Sequence, residues 1–268
     1  MQVGKINNKT INFPQLRGSL AGVRYPALAE LKYDGEFNYI IFKNSDTYTI
    51  NKYGTMRRDF PHLNLVKKKL ESNSVSSAVL VCEVYWNEGK LGALYDLLSK
   101  KKDDAIKLCI FDVIELNNDN VRNHTLLDRK ELLHDVGLKR WLPKCWVVED
   151  KADVDIRFQG ATLEGYEGIV VKDFDTHFVN GPCSWVKIKY KDRSDYQVSL
   201  VEHIKERIEV QVPVTKPNQP QWITLGVKAP NRYKAHIKVG DMVTVEHQGV
   251  LASGSLRHPV LIAKKEWK

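Results

Sequence analysis

Hydrophobic and polar positions along the first 190 residues alternate between the two-residue period of strands and the longer period of helices. Short runs rich in Val, Ile, Tyr and Phe predict strands. Leucines at positions 91, 94, 97 and 98 share one helix face, as do those at 126, 132 and 133 in a second helix. The predicted strands are 27–31, 37–42, 47–50, 78–85, 107–114, 168–172 and 185–189, and the predicted helices are 90–102 and 125–141.

After Lys189 the pattern changes to strands alone, separated by turn residues. Five short strands in a segment of this size predict a small barrel. The Pro- and Asn-rich stretch 213–220 is interpreted as a loop between two strands, and 191–194 as an interdomain hinge. The pattern therefore predicts two domains, 1–190 and 191–268. The predicted strands of the second domain are 197–203, 207–214, 222–227, 242–247 and 260–263.

Composition is that of a folded chain, with 43% hydrophobic and 28% charged residues among 268, which excludes disorder as the main state. No apolar stretch approaches the roughly 20 residues of a membrane span. The first residues show no signal-peptide core, so we expect a cytoplasmic protein without a membrane partner. Cysteines 82, 109, 145 and 183 lie far apart without a close histidine, which indicates reduced structural thiols.

The net charge of +8 is unevenly distributed along the chain. From Tyr190 onward there are 13 basic and 8 acidic residues, whereas the preceding part is nearly balanced. A basic bias in the second domain suits a polyanionic partner, although a solvated basic face explains it equally well.

The candidate chemistry begins at Lys32, which a predicted strand delivers into a turn closed by Asp34 and Gly35. This K-x-D-G match is weak alone, because Asp-Gly is a common turn dipeptide. An ordered series of elements at strand ends strengthens it, and period-2 spacing places Lys187 and Lys189 side by side on one strand surface. The series comprises Glu83 in VCEV, Phe111-Asp112, the EGIVVK stretch 167–172 and the WVKIK stretch 185–189.

This ordered set resembles the covalent nucleotidyltransferase superfamily, specifically the small ATP-dependent DNA ligases of viral and bacterial type. The resemblance spans nearly the whole chain, since 240–245 and 254–260 look like the end of a ligase OB domain. It implies an α+β fold: a nucleotidyltransferase domain of antiparallel sheets flanked by helices, then a small all-β OB-fold domain. It also implies an ATP-dependent DNA ligase that seals nicks through a lysine–AMP intermediate and an adenylated DNA 5′-phosphate.

Carried over by position, the resemblance implies a role for each motif residue at the nucleotide. Lys32 attacks the α-phosphorus of ATP, and Glu30 contacts the adenine amino edge. Mg²⁺, or Mn²⁺ in its place, suits the hard oxygen ligands of such a site. The other implied roles are Glu83 at the ribose and metal, Phe111 and Val170 on the two faces of the base, Lys172 at the nucleotide, Glu167 at the metal, and Lys187 and Lys189 at the α-phosphate.

The resemblance implies DNA contacts as well, with nicked duplex DNA as the partner of a monomer. Asp34 falls where the motif meets the nick terminus, and Lys52 where a basic residue meets the 5′-phosphate. Arg57, Arg58 and Arg257 are further candidates, and affinity is expected to fall with salt. Only 31 residues precede Lys32, so we expect no extra N-terminal DNA-binding domain. The tetracysteine site and helix-hairpin-helix region of NAD-dependent ligases are missing from the sequence, which favours ATP.

Lysine attacks phosphorus only as the neutral amine, and an ordinary pKa of about 10.4 leaves little of that form at neutral pH. We therefore expect positive charges near Lys32 to lower its pKa, and Lys187, Lys189 and a divalent cation are the candidates. The same charges are expected to stabilise the negative charge that develops as pyrophosphate leaves.

The sequence departs from the family pattern at three places. Phe37 stands where related ligases usually carry an arginine at the ribose, so either Glu83 holds the ribose alone, another residue substitutes, or Phe37 is simply a strand residue. Lys52 replaces the commoner arginine and loses bidentate geometry. Near the C-terminus, Lys264 and Lys265 stand where an Arg-rich stretch orients pyrophosphate, although a frayed basic tail is the alternative.

Other functions remain open at this stage. An RNA ligase shares the lysine–AMP chemistry, and only the ligase-like OB ending argues against it. An mRNA-capping guanylyltransferase prefers GTP, which Glu30 disfavours. A non-enzymatic OB-fold nucleic-acid binder has no reason to retain Lys32 or Glu167, and it predicts that no covalent nucleotide forms.

Overall fold

The computed structural model describes residues 2–5, 14–86, 105–198, 201, 207–216, 219–228, 236–250 and 256–265. The chain divides into two compact units, Met1–Ile188 and Lys189–Lys268. The predicted helix 90–102 lies outside the described residues. In the part that is described, no helix has both the length and the apolar character needed to cross a membrane. All four cysteines are free thiols.

The strands that begin in the first unit lie in two sheets, and helices cover them. The strands are β1 (Gln2–Lys5), β2 (Pro14–Arg17), β3 (Ala27–Lys32), β4 (Gly35–Lys43), β5 (Asp46–Asn51), β6 (Thr55–Arg58), β7 (Ser77–Tyr85), β8 (Lys107–Leu116), β9 (Asp119–Asn120), β10 (Cys145–Val148), β11 (Gly168–Asp173) and β12 (Gly181–Lys189). The helices are α1 (Pro61–Ser72), α2 (Leu126–Asp135) and α3 (Lys151–Leu163), with a 3₁₀ turn at Lys139–Trp141. The seven strands predicted from the sequence are confirmed as β3, β4, β5, β7, β8, β11 and β12.

The larger sheet has the order β1-β6-β5-β4-β7-β8-β9, and each neighbouring pair is antiparallel. Alternate residues of β4, β7 and β8 pack with α1 and the α2 region into one hydrophobic core. Phe42, Phe60 and Leu80 are fully buried there. The opposite face of this sheet therefore remains for contact with the second sheet.

The second sheet has the order β10-β3-β11-β12-β2, in which β2 and β12 are parallel. One face of β3 and β11 packs against α3. Its other face meets the larger sheet in a third core, which combines Tyr39 and Val81 with Trp185 and Phe178. The first unit is thus a pair of facing sheets with helices on the outer surfaces, and the site residues line the space between the sheets.

Helix α2 begins at a capping box, since the Thr125 hydroxyl accepts from the Asp128 N–H at 3.2 Å and the Asp128 carboxylate accepts from the Thr125 N–H at 3.1 Å. It ends at Asp135, close to Gly137 at a φ of +74°. The predicted helix 125–141 is therefore too long, because the apolar period continues into the separate 3₁₀ turn.

The second unit contains β13 (Asp192–Gln197), β14 (Arg207–Lys216), β15 (Gln219–Lys228), β16 (Met242–His247) and β17 (Val260–Lys264). They form one sheet in the order β13-β16-β17-β15-β14. Val243, Val245 and Leu261 lie in its core. Five strands lie among the described residues of this unit, four of them largely at predicted positions, and an OB fold stays a prediction.

Two predicted features of this unit are wrong. The predicted hinge 191–194 is largely strand, because Asp192 pairs with His247 at the start of β13. All four residues of 191–194 are polar, so hydrophobic alternation does not reveal this start of β13. The predicted loop 213–220 is also mostly strand, because β14 and β15 stay paired up to Lys216 and Gln219. The predicted strand 197–203 extends beyond the end of β13 into residues that are largely undescribed.

Candidate active site

Lys32 is the last residue of β3, which lies between β10 and β11. The odd-numbered residues of β3 pack in the core beneath α3, so Glu30 and Lys32 lie on the opposite face. Lys32 Nζ donates a hydrogen bond to Glu167 Oε2 at 2.5 Å. Glu167 immediately precedes β11, whose first residue, Gly168, is the register partner of Lys32. Strand pairing therefore sets the lysine beside this buried carboxylate.

The charges around Lys32 are mainly negative. Burial lowers the pKa of Lys32, but the carboxylates of Glu167, Glu83 and Asp34 outweigh burial and raise the pKa above its ordinary value. The expectation that Lys187 and Lys189 lower this pKa is therefore wrong, and the effect expected of a divalent cation stays a prediction. The sequence reveals which charges are present but not which of them come close.

Glu83 lies on β7, within the larger sheet. Burial raises the pKa of Glu83 to about 8; Lys32 opposes the shift, while Glu167 and Asp34 add to it. A carboxyl of this kind is mostly protonated at neutral pH, so the cluster around Lys32 holds less negative charge than its composition suggests.

The glycine of the Asp-Gly dipeptide that follows Tyr33 is required for steric reasons. A Cβ at Gly35 would lie 2.3 Å from the carbonyl oxygen of Val84 and 2.7 Å from Cγ of Glu83. Only glycine lets β4 approach β7 this closely beside Glu83. Asp34, just before it, is buried.

A second group of site residues lies around Glu30. The buried Glu30 carboxylate contacts two ammonium groups, with Lys172 Nζ 2.6 Å from Oε2 and Lys130 Nζ at Oε1. Val170 is the register partner of Glu30 on β11. Lys172 Nζ also lies 4.9 Å from the ring centroid of Phe111. The structure thus brings Lys172 together with the three residues that the resemblance places around the base, and their contact with adenine stays a prediction.

Lys187 and Lys189 lie at the end of β12 and, with Trp185, occupy every second position along it. The even-numbered residues between them pack in the core beneath α3. Trp185 lies on the same face of the sheet as Lys172, because its ring centroid is 4.0 Å from Lys172 Nζ. Strand alternation therefore places both predicted α-phosphate lysines on the same face as Lys172.

Phe37 is a half-buried residue of an aromatic group. Its ring packs edge-on against Tyr39 at a centroid distance of 5.2 Å and lies 6.0 Å from Phe111. It is also the register partner of Glu83. These contacts fit the alternative that Phe37 is a strand residue with a packing role.

Helix α2 supplies two residues that the sequence did not single out. Arg129 is fully buried and donates to both carboxylate oxygens of Asp112, at 2.6 and 2.9 Å. The adjacent Lys130 donates to the carbonyl oxygen of Phe111 at 2.8 Å. A basic pair on the helix therefore fixes the Phe111-Asp112 segment. The available signal was Asp112, an acid within an apolar run. An acid at such a position is expected to be buried, and a buried carboxylate requires a cationic partner.

The turn that carries Lys52 is held by Asn51. The Asn51 Oδ1 atom accepts from the backbone N–H groups of Tyr53 and Thr55, both at 2.9 Å. Its Nδ2 atom donates to Glu36 Oε1 at 2.6 Å. This network fixes the backbone of the predicted 5′-phosphate residue.

The two arginines of β6 have different environments. Arg57 is buried, with its Nη1 2.5 Å from Glu36 Oε2, which does not fit a direct contact with DNA. Arg58 is more exposed, pairs with Asp46 and stacks over Tyr48 at 4.6 Å. Of the pair, only Arg58 lies where a phosphate can reach it.

The basic candidates of the second unit lie within its own sheet and turns. The Arg257 backbone N–H donates to the Gly249 carbonyl at 2.9 Å. Lys264 Nζ is 2.7 Å from Asp241 Oδ2, and Lys265 pairs with Asp195. The alternative of a frayed tail is therefore wrong for both lysines, and their role at pyrophosphate stays a prediction.

A family model described as the ATP dependent DNA ligase domain matches residues 15–189. The chain belongs to this family. The match covers the first unit from β2 onward, without β1, and includes every predicted nucleotide residue from Glu30 to Lys189. It confirms the family predicted from the motifs.

Curated relatives of this ligase-family chain are DNA ligases of Pyrobaculum. The sequence is 25% identical over 203 residues to the enzyme of Pyrobaculum arsenaticum and 25% identical over 202 residues to that of Pyrobaculum islandicum. Each match covers 69% of this chain and 34% of the relative. The chain thus spans about a third of the length of these relatives.

Solved ligase structures share the fold. A structure from a study of Lig E DNA ligases has a TM-score of 0.72 at 14% identity and covers 95% of this chain and 99% of its own. The ligase domain of LigD from M. tuberculosis has a TM-score of 0.57 at 17% identity and covers 95% of each chain. Facing mixed sheets flanked by few helices match the nucleotidyltransferase fold of these ligases, so the predicted fold class is confirmed for the first unit.

The donors near Lys32 suit a divalent cation that arrives with phosphate groups. Within the described ranges, no group of three or more His, Cys, Asp or Glu side chains could hold a metal ion alone. Glu83 and Glu167 nevertheless both act on the Lys32 charge. Mg²⁺ commonly binds through one or two carboxylates together with substrate phosphates and water. The residues therefore fit a cation whose coordination the nucleotide completes.

Proposed function

We propose that this chain is an ATP-dependent DNA ligase that seals nicks in duplex DNA through a lysine–AMP intermediate. The observation that carries the proposal is the position of Lys32, at the end of β3 and 2.5 Å from Glu167. On the same strand, Glu30 lies beside Phe111 and Val170, in a chain that belongs to the ATP-dependent ligase family.

The group around Glu30 binds the adenine of ATP. The ionised Glu30 carboxylate accepts a hydrogen bond from the exocyclic amino group, while Phe111 and Val170 stack on the two faces of the ring. Glu83 contacts the ribose. Lys172 is buried beside the Phe111 and Trp185 rings, where its charge balances that of Glu30.

In the first step, the neutral Lys32 amine attacks the α-phosphorus. The Nζ–P bond forms as the bond from that phosphorus to the pyrophosphate oxygen breaks, and Nζ loses a proton. Glu167 Oε2, which already accepts from Nζ at 2.5 Å, is placed to receive it. Lys187 and Lys189 stabilise the negative charge on the phosphate oxygens.

Glu83 and Glu167 are the residues that would hold Mg²⁺, or Mn²⁺ in its place. A bound divalent cation would displace the proton of Glu83, neutralise the Glu167 carboxylate and withdraw the charge that raises the pKa of Lys32. The cation would thus favour the neutral Lys32 amine that the first step needs.

The later steps use the adenylated lysine. A 5′-phosphate oxygen at the nick attacks the phosphorus of the AMP group, and Lys32 leaves as an amine that regains a proton. The neighbouring 3′-hydroxyl then attacks the 5′-phosphorus, loses its proton and displaces AMP. Asp34 lies at the nick terminus, and the Lys52 ammonium contacts the 5′-phosphate.

The DNA backbone supplies most of the binding energy. Lys52 and Arg58 of the first unit and Arg257 of the second contact phosphates, so affinity falls as salt rises. We also propose that the five-stranded second unit is an OB fold and that the enzyme acts as a monomer.

The proposal is tested by a nick-sealing panel with the full chain, ATP and Mg²⁺. Sealing is expected for a DNA duplex with a 5′-phosphate at the nick, and not for the same duplex after dephosphorylation. Sealing of an all-RNA nick in preference to the DNA nick would favour the RNA ligase alternative. No sealing of either, with the chain folded, would overturn the proposal.

A further inference from the structure

Lys130 lies on α2 at a position that neighbouring contacts fix tightly. Arg129, one residue earlier, is fully buried and bound to both oxygens of Asp112. It also donates to the carbonyl groups of His124 and Thr176, at 2.6 and 2.9 Å. This anchor holds the helix against β8, so the Lys130 side chain has little freedom to turn away.

The Lys130 ammonium connects two parts of the base site. It donates to the Phe111 carbonyl at 2.8 Å and contacts Glu30 Oε1. Its side chain is 14% exposed, whereas that of Glu30 is 3% exposed. One cation from a helix therefore reaches both the expected acceptor for the base and the backbone of the expected stacking residue.

Glu30 depends on two lysines for its charge. Burial raises the pKa of Glu30, but Lys130 and Lys172 outweigh burial and lower it below the ordinary value. An ionised carboxylate only accepts hydrogen bonds, whereas a protonated carboxyl also donates. Adenine presents an amino donor where guanine presents a carbonyl acceptor. The ionised state of Glu30 therefore decides which base it favours.

We propose that Lys130 is a positioning residue for base recognition, which holds Glu30 as an oriented acceptor and Phe111 as a stacking surface, and thereby selects ATP over GTP. This inference rests on the proposed function. Lys172 supports the same carboxylate, but it also fills the space beside the Trp185 ring at 4.0 Å. Lys130 is the better test, because removing its charge leaves that packing intact.

The experiment measures the covalent adduct by intact mass over a range of ATP and of GTP concentrations. K130M is compared with K130R and with wild type, and K151M, at an exposed lysine of α3, is the matched control. In K130M, the ATP concentration that gives half-maximal adduct formation is expected to rise about tenfold, as for the loss of one hydrogen bond to a charged group. The preference for ATP over GTP is expected to narrow, and half-saturation is expected to change more than the maximal rate of adduct formation does.

K130R retains the charge and is expected to restore most of the ATP preference, and K151M should behave as wild type. Unchanged half-saturation and unchanged ATP preference in a folded K130M would overturn the inference. An equal loss with both nucleotides would also overturn it, because a purely structural role weakens both alike. If K130M does not fold, K130Q takes its place under the same criteria. Failure of the proposed function is distinguishable, because wild type itself would then form no adduct with either nucleotide.

Discussion

Lys32 and Glu167 lie at the adjoining ends of β3 and the segment that enters β11, with 2.5 Å between Nζ and Oε2. The pair is the point where the sequence motifs KYDG and EGIVVK meet in space. Because Glu167 raises the pKa of Lys32, the same contact that positions the amine also keeps it protonated. Activation of the nucleophile therefore requires a change in its surroundings.

Replacement of Glu167 separates these two effects. In E167Q we expect Lys32 to react faster with an amine-specific reagent at pH 8, because loss of the carboxylate lowers the pKa of Lys32. Formation of the AMP adduct is nevertheless expected to slow about a hundredfold, the scale seen when one charge-stabilising group is removed from a site. Peptide mapping of labelled Lys32 and the rate of adduct formation are the measurements.

E164Q is the matched control, since Glu164 pairs only loosely with Lys144, at 3.6 Å on the surface. It should leave both readouts unchanged. Slower labelling of Lys32 in E167Q would contradict the electrostatic account.

Glu83 gives stability a specific dependence on pH. Its pKa is raised from 4.5 to about 8 by burial, so between these values the folded state binds more protons than the unfolded state. Wild-type stability therefore decreases as pH rises through this window. E83Q has no such proton to lose, so its melting temperature relative to wild type should increase from pH 5 to pH 8 and then level off. Thermal melting of both proteins in metal-free buffer at each pH measures this difference in melting temperature. A difference that does not change with pH would exclude the raised pKa of Glu83.

Arg57 and Arg58 are neighbours with different expected roles. R57M leaves the largely buried Glu36 carboxylate without its cation, so we expect the free energy of unfolding to fall by about 1–3 kcal/mol. R58M breaks a more exposed pair and should cost less than about 1 kcal/mol. R58M should instead weaken binding to nicked DNA. It should also reduce the slope of log affinity against log salt concentration by about one. Denaturant unfolding and a salt titration of DNA affinity distinguish the two, and the reverse pattern would refute the assignment.

Strand-rich regions with strong hydrophobic patterns were predictable from the sequence. β3, β7 and β8 bury apolar residues in alternation or in continuous runs. They carry Lys32 at the end of β3, Glu83 near the end of β7 and Phe111 in the middle of β8. Short or polar strands were not predictable in this way. β13 is polar at five of its six positions, with Tyr196 packed against the core, and β10 has two exposed residues among four. Pairing with neighbours rather than alternation therefore defines both strands.

Helices α1 and α3 were missed for different reasons. α1 has an apolar face of Leu63, Val66 and Leu70 at helical spacing, which the sequence does show. α3 buries only Val154 and Ala161 fully, so its pattern is weak. For α3, packing against a sheet therefore stabilises a helix that its local pattern barely specifies, whereas the pattern of α1 was present in the sequence and was overlooked.

The electrostatics of the site depended on distances that no sequence pattern provides. The motifs identified Lys32 and Glu30 as functional candidates, but not the partners that determine their charge. Lys130 is one hundred residues from Glu30 in sequence, and the Arg129–Asp112 pair brings the two together. The sign of the Lys32 pKa shift likewise follows from carboxylates that converge from separate strands.

Intact mass of the purified chain after incubation with ATP and Mg²⁺ tests the central claim most directly. Wild type is predicted to gain one covalent AMP, which pyrophosphate removes, and K32A is predicted to gain none while remaining folded. Pyrophosphate treatment before the incubation discharges any protein that is already adenylated. An adduct of equal yield in K32A, or no adduct on discharged wild type that is folded, would contradict the assignment of Lys32 as the nucleophile.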